Sequence, residues 1–423
     1  MNQLHAEVDE CEFGPYRLTK DGDLHCPDGA RVHLTSRLAC VLSELAAAKG
    51  VPVSRLNLIE RCWPDVAIQE ENLTRAIADL RRIFREHGED CIETVYGLGY
   101  RLNTSQSDHD IRETLAFCQE AWHRVYHRQR ATLDSAESLF AEATRKEAGY
   151  IPGWLGIAET QIHRMQLGYA TTLEAAPKAL EALDRALDVD FSSADALAFK
   201  GLLLTWAEWD FISAEEALNR ACHLAADAYV PNHARAWHEL AMGRYHWAER
   251  YARIASAAKP LSMTSRAIVA FARKYAGDRE TALNVARDMV RIDAHGPVSL
   301  SLAAIFEADS GDPLEAVSMA TRGYELLPES PVVGAILSYA LARAGRADKA
   351  RALLESRAKT GPRIGSNTMA SAAWLELGEN ALAMTALESG FAIRCPWLLQ
   401  MLNDPSFERL NCDPLKEAVT ASR

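Results

Sequence analysis

The sequence predicts a two-part chain: a small α+β domain followed by a long all-α array of antiparallel helical hairpins. Three observations predict this. Residues 12–34 carry two turn signals, Lys20-Asp21-Gly22 and Pro27-Asp28-Gly29, between short apolar or β-branched pieces. The stretch 103–110 is polar and has no apolar period. Beyond it, Gly243, Gly277, Gly311 and Gly345 recur every 34 residues, and Gly378 follows after 33. The expected division is a first domain over 1–104, a linker over 105–114 and the array over 115–423.

At 423 residues the chain exceeds one comfortable core, and 48% hydrophobic with 25% charged residues is globular composition. The net charge of -12 excludes a basic nucleic-acid coat but leaves room for a local positive face. The nine cysteines are scattered without a C-x-x-C pair, which argues against a disulfide framework and a structural zinc site. No apolar run approaches the ~18 residues of a bilayer span, and Met1 to Cys11 has no signal-peptide apolar region. A soluble, cytoplasmic protein without a membrane partner is expected. Neither G-x-x-x-x-G-K-[ST], G-x-S-x-G nor H-E-x-x-H occurs, so no enzyme and no cofactor is expected. His123 and His127 share a helical face but lack an evident third ligand, so no metal is expected.

The turns of residues 12–34 imply a small antiparallel sheet. Thr35 then caps a helix whose apolar positions are Leu38, Val41, Leu42 and Leu45, ended by Gly50. Ser54 caps a shorter helix through Leu58, Ile59 and Cys62, stopped by Pro64. A third helix runs from about Glu70 to His87, with the core stripe Leu73, Ile77, Leu80 and Phe84. Roughly opposite that stripe lie Arg75, Asp79 and Arg82, flanked by Asn72, Arg81 and Arg85. Residues 74–85 hold four arginines and one acid inside a domain that has 12 Lys and Arg against 17 Asp and Glu. Arginine forks can read guanine in the major groove, and asparagine can read adenine. Arginines opposite an apolar stripe are more often a solvated face, and Asp79 can pair with Arg75 or Arg82 to support the helix. A hairpin closes the domain: Ile92-Glu93-Thr94-Val95 and Tyr100-Arg101-Leu102 flank Gly97-Leu98-Gly99, and its tip is expected to bring Arg101 to the DNA backbone or minor groove.

The order sheet, helix, helix, third helix, hairpin resembles the OmpR/PhoB-type winged helix-turn-helix over roughly residues 12–103. The resemblance is carried by Val32-His33-Leu34-Thr35, Val53-Ser54-Arg55 with Leu58, Cys62-Trp63-Pro64, Glu71-Asn72-Leu73, Leu80-Arg81-Arg82 and the closing segment from Ile92 to Leu102. It implies that the third helix reads the major groove, the wing touches the minor groove, and the loop before the third helix meets RNA polymerase. These roles then fall on Asn72, Thr74, Arg75, Asp79, Arg81 and Arg82, on Arg101, and on Pro64 to Gln69. Leu38 departs from the family pattern, where many members place a glutamate that completes a capping box. The domain's net acidity is a second departure.

In the array, each repeating glycine is followed five residues later by alanine: Ala248, Ala282, Ala316, Ala350 and Ala383. Pro260, Pro328 and Pro362 recur seventeen residues after the glycine, with Ala294 in one repeat, and Ala214, Ala179 and Ala136 extend the register backwards. The pattern resembles the tetratricopeptide repeat: glycine for the turn, alanine for close helix approach, proline to end the second helix. About seven or eight hairpins in a right-handed superhelix are expected, with residues from Cys395-Pro396-Trp397 to Leu415 capping the end. Such a surface suits a peptide, a partner protein or a second copy of the chain; Tyr245, Trp247, Arg273 and Tyr275 are candidates to line it, although packing between hairpins is the commoner role of such residues. The joined architecture resembles HilA-like regulators. It implies a sequence-specific transcriptional regulator of promoter DNA, an activator by family analogy. The alternative is a repeat-based adaptor whose winged helix contacts protein.

Overall fold

The structure is a computed structural model, and it describes residues 10–63, 70–88, 91–95, 98–103, 107–360 and 367–421. The expected loop Pro64 to Gln69, and Tyr96, Gly97 and Pro362, lie outside the described residues. By internal contacts the chain forms two compact units. The first takes the chain up to Ala121 with Ser138–Trp154 and Ala186–Ser192, and the second takes the rest.

In the first unit four short strands, β1 (Cys11–Phe13), β2 (Tyr16–Leu18), β3 (Asp23–His25) and β4 (Arg31–His33), form an antiparallel sheet in sequential order. Leu18 pairs with Leu24 and Leu24 with Val32, so the apolar residues share one face. Three helices follow: α1 (Ser36–Ala47), α2 (Arg55–Cys62) and α3 (Glu70–His87). Thr35 and Ser54 cap α1 and α2 as the sequence predicts, accepting from the amides of Leu38 and Asn57. The stripe Leu73, Ile77, Leu80 and Phe84 is buried, and the Phe84 ring meets Tyr16 edge-on at 5.0 Å, fastening α3 to the sheet. The hairpin is β5 (Ile92–Val95) with β6 (Gly99–Leu102).

The stretch expected as a linker, 105–114, is helical from Ser107, where α4 (Ser107–His127) begins. Among the described residues α-helices then follow one another as far as Ala392: after α4 come α5 (Arg130–Lys146), α6 (Ile151–Leu167), α7 (Thr172–Val189), α8 (Ala194–Leu203), continued by a π-helical turn over Leu204–Glu208, α9 (Phe211–Leu224), α10 (Tyr229–Ala241), α11 (Tyr245–Ala258), α12 (Met263–Tyr275), α13 (Arg279–Ile292), α14 (Pro297–Ser310), α15 (Pro313–Leu326), α16 (Pro331–Arg343), α17 (Ala347–Thr360), α18 (Asn367–Glu376) and α19 (Asn380–Ala392). Within the first unit the buried Asn57 of α2 donates to the carbonyl of Val189 at the end of α7, at 3.2 Å.

In the second unit α8 to α19 pair as successive antiparallel hairpins, and the first helix of each also packs on the first helix of the next. That is the tetratricopeptide-like stacking the repeat predicts. The five alanines after the glycines, and Ala136, Ala179 and Ala214, are all buried. Gly243, Gly277, Gly345 and Gly378 turn the chain with φ between 71° and 91°, the left-handed region closed to most side chains. Gly311 departs from them, with φ -112° and ψ -139°. Pro313 follows two residues later, and the residue before a proline, here Asp312, is pushed towards extended backbone. Asp312 accordingly has ψ 114°, where Arg244, Asp278 and Glu379 at the same place have 64° to 73°. Asp312 still caps α15, its carboxylate accepting from the Leu314 amide at 2.8 Å, while Glu307 accepts from the Asp312 amide at 2.9 Å.

The C-terminal segment does not act as a simple end cap. Helix α20 (Leu398–Asn403) packs against α18 and α19 and also against α10, far back in the array. Trp397 meets Trp237 edge-on at 5.7 Å and donates to the Gln166 carbonyl, while Asn403 donates to the carbonyl of Ala241 at 2.8 Å. Its physical cause is apolar: Leu398, Leu399, Met401 and Leu402 are all buried, more than one neighbouring helix could cover. The last helix is α21 (Asp413–Ala421).

Candidate nucleic-acid interface

Helix α3 is amphipathic, so burial of its apolar stripe dictates which side chains remain outside. Asn72, Thr74, Arg75 and Arg82 are exposed, and Asp79 and Arg81 are half-buried. Arg75 has no ion-pair partner among the described residues. Arg82 lies 3.8 Å from Asp79 and 3.8 Å from Glu86, with 65% of its side chain exposed. Such loose surface pairs contribute about 0–1 kcal/mol, so this guanidinium can turn to another acceptor at little cost. Asn72, Arg75 and Arg82 therefore form an outward polar ridge.

Arg81 and Arg101 have other partners. Arg81 donates to the Ile92 carbonyl at 3.1 Å and to the Thr94 hydroxyl at 2.9 Å, tying α3 to β5. Its fork is spent on the wing, which departs from the expected base-contacting role. Arg101 sits opposite Glu93, one rung from the hairpin's base and away from its tip. Its guanidinium reaches the Glu93 carboxylate at 2.6 Å, leaving 19% of the side chain exposed. The hairpin therefore does not present Arg101 at its tip.

The wing is pinned a second time. Val53 and Tyr100 exchange both backbone hydrogen bonds, at 2.8 and 3.1 Å, so β6 is paired on both edges. This close approach needs Gly99: its φ is 137°, and a Cβ there would overlap the Val53 carbonyl. The arrangement holds the hairpin at a fixed angle to α2 and α3.

Two arginines to which the sequence assigns no contact brace the domain. Arg37 donates to the carbonyl of Cys62 and lies 5.8 Å from the Trp63 ring, bracing the end of α2. Arg55 lies 5.5 Å over the Tyr100 ring, linking α2 to the wing. The available signal was position: each falls one or two residues after a capping Thr35 or Ser54.

Among the described residues one trio offers three metal-ligating atoms together, Cys26, Asp28 and His87, within 4.8 Å. His87 Nδ1 is already 2.9 Å from Asp28, and burial pushes the Cys26 thiol up, so the trio acts as a tie between the β3–β4 turn and the end of α3. His123 and His127 pack edge to face at 5.1 Å and belong to no such trio.

Residues 29–102 match the family described as "Transcriptional regulatory protein, C terminal". The transcriptional regulators HilA of Salmonella typhimurium and of Salmonella typhi are each 40% identical to this chain over 92 residues. That match is 22% of this chain and 16% of each relative's own length. The N-terminal domain is thus an OmpR/PhoB-type winged helix. Among solved structures, that of yeast Tom70 has a TM-score of 0.46 at 14% identity, covering 92% of this chain and 85% of its own. That of PilW, a widely conserved type IV pilus biogenesis factor, has a TM-score of 0.38 at 17% identity, covering 54% and 98%. No helix among the described residues is long and apolar enough to cross a membrane.

Proposed function

We propose that the chain is a sequence-specific, DNA-binding transcriptional regulator that activates its promoters. In this reading residues up to 104 bind DNA, and the array from 115 onward receives a signal or a protein partner. Its role is not catalytic. The single observation that carries the reading is the ridge of Asn72, Arg75 and Arg82 on the outer face of a helix whose inner face and wing are both immobilised. A preorganised helix of this kind fits the major groove, where arginine and asparagine read base edges. Arg81 and Arg101 act by positioning the wing, and the Pro64 to Gln69 loop meets RNA polymerase. Two copies bind adjacent half-sites.

Selection of bound sequences from random duplexes by the full chain tests this. An enriched motif, repeated as direct or inverted half-sites, is the expected result. A protein that retains no duplex at low ionic strength is instead an adaptor, and the net acidity of residues 1–104 would then explain the loss.

A further inference from the structure

The second unit contains a cavity of about 460 Å³, inside the range of small-molecule sites. Its walls come from the ends of α4, α6, α8, α10 and α12, and from the turns before α12 and α14. Much of the lining is apolar or aromatic, including Phe199, Leu202, Tyr229 and Met263. Five charged residues line it: Arg128, Lys259, Glu159, Asp195 and Asp293, the last accepting from the Ser299 hydroxyl at 2.7 Å.

Two of them, Asp195 and Arg128, make no close ion pair among the described residues. Asp195 has no hydrogen bond or ion pair among the described residues, although it is half-buried. Burial, with the Glu159 charge second, pushes its carboxyl up to about 6. Arg128 stands in the left-handed region at φ 55°, and its Nη1 donates to His163 Nδ1 at 3.2 Å. The same Nδ1 also lies 3.1 Å from Gln166 Oε1, and Nε2 faces Glu159 at 3.4 Å. Burial, then the Arg128 charge, lowers the His163 pKa, so Arg128 rests against an uncharged ring; the Glu159 charge acts on this guanidinium without a close ion pair. Burial presses its pKa down, the sign of an under-compensated cation. Lys259 lies 4.8 Å over the Tyr229 ring, and Tyr229 stacks on His233.

Half-buried charges without close partners are costly, and a site that keeps them is a candidate ligand site. We propose that this cavity binds a small organic zwitterion, a free amino acid or dipeptide with a bulky apolar side chain, whose carboxylate docks on Arg128 and whose ammonium docks on Asp195. Three acids against two cations disfavour a nucleotide or phosphorylated ligand, which Glu159, Asp195 and Asp293 would repel, while Arg128 and Lys259 favour a ligand that also carries a carboxylate over a polyamine. The apolar walls take the side chain. This gives chemical content to the signal-receiving role proposed for the array. It stands without DNA binding.

Calorimetric titration of the full chain with L-leucine, L-phenylalanine and L-leucyl-L-phenylalanine tests it, together with the N-acetyl and C-amide forms of the dipeptide. At least one free zwitterion should bind. Blocking either end should weaken binding at least tenfold, because a buried group of the site is then left unpaired. Asp195→Asn should weaken the free ligand at least tenfold while leaving the N-acetyl form unchanged; Arg128→Gln should do the same with respect to the amide. Absence of heat for all free zwitterions at millimolar concentration overturns the proposal, as does equal binding of free and blocked forms. Comparison of free and blocked ligands on the unaltered protein needs no variant to fold. Since heat is read directly, failure here leaves the DNA-binding reading intact.

Discussion

Arg75 and Arg82 are the residues on which base recognition is expected to turn. Replacing either with alanine should cost about 1–3 kcal/mol of DNA-binding free energy and relax preference at one base position, measured by comparing selected motifs and affinities. Equal affinity and an unchanged motif for the double variant would show that α3 does not enter the groove. Gly99 makes a different demand. Gly99→Ala combines a left-handed φ with a clash against the Val53 carbonyl, so denaturant unfolding should show a loss of about 2–4 kcal/mol in the N-terminal domain. Asp195 links charge to stability. Its folded pKa, about 6, lies above the usual carboxylate value, so the folded state holds the proton more tightly. Stability is then highest at low pH with respect to this group and is lost as pH rises through about 6. Asp195→Asn should raise the melting temperature at pH 7.5 and leave it unchanged near pH 4. His233, held near 3 by burial, works in the opposite sense, weakening the fold as pH falls below 6.5, but it cancels in the difference between variant and wild type.

For the winged helix, the decisive unit is the helix–hairpin joint. Arg81→Ala removes the guanidinium that carries the Ile92 and Thr94 bonds while leaving the α3 ridge in place. Affinity should fall for all sequences with the preferred motif unchanged, and Arg81→Lys should not restore it, because one ammonium cannot reproduce the fork. The element order was readable because each start and stop has a local cause: Thr35 and Ser54 as caps, the Leu73–Phe84 stripe as period. The roles of Arg81 and Arg101 were not readable, because helical position says which way a side chain leaves the axis but not which carbonyl or carboxylate waits there. Glu93 opposite Arg101 is a cross-strand pair set by hairpin register, and register depends on the turn. Gly311 shows the same limit in the array: its 34-residue spacing matches its neighbours, yet Pro313 overrides the turn the spacing implies.

Across the second unit, long-range contacts decide stability. Lys274 is buried between Asp309, at 2.5 Å, and Asp404, at 2.9 Å, joining α12 and α14 to the chain just past α20. Burial opposes its charge, but the two carboxylates outweigh it and raise its pKa. Lys274→Met strands both acids, and urea unfolding should show a loss of about 3–5 kcal/mol. Adding Asp309→Asn and Asp404→Asn should recover part of it. Nothing in the repeat spacing announces this trio, since its third member lies outside the periodic part of the chain. A stack held only by adjacent repeats frays from its ends, each hairpin melting nearly by itself. Because α20 touches α10 as well as α18, the intervening hairpins share one fastening. Heating should therefore release them in a single cooperative transition, and hydrogen exchange at α10 and α18 should be governed by the same opening event.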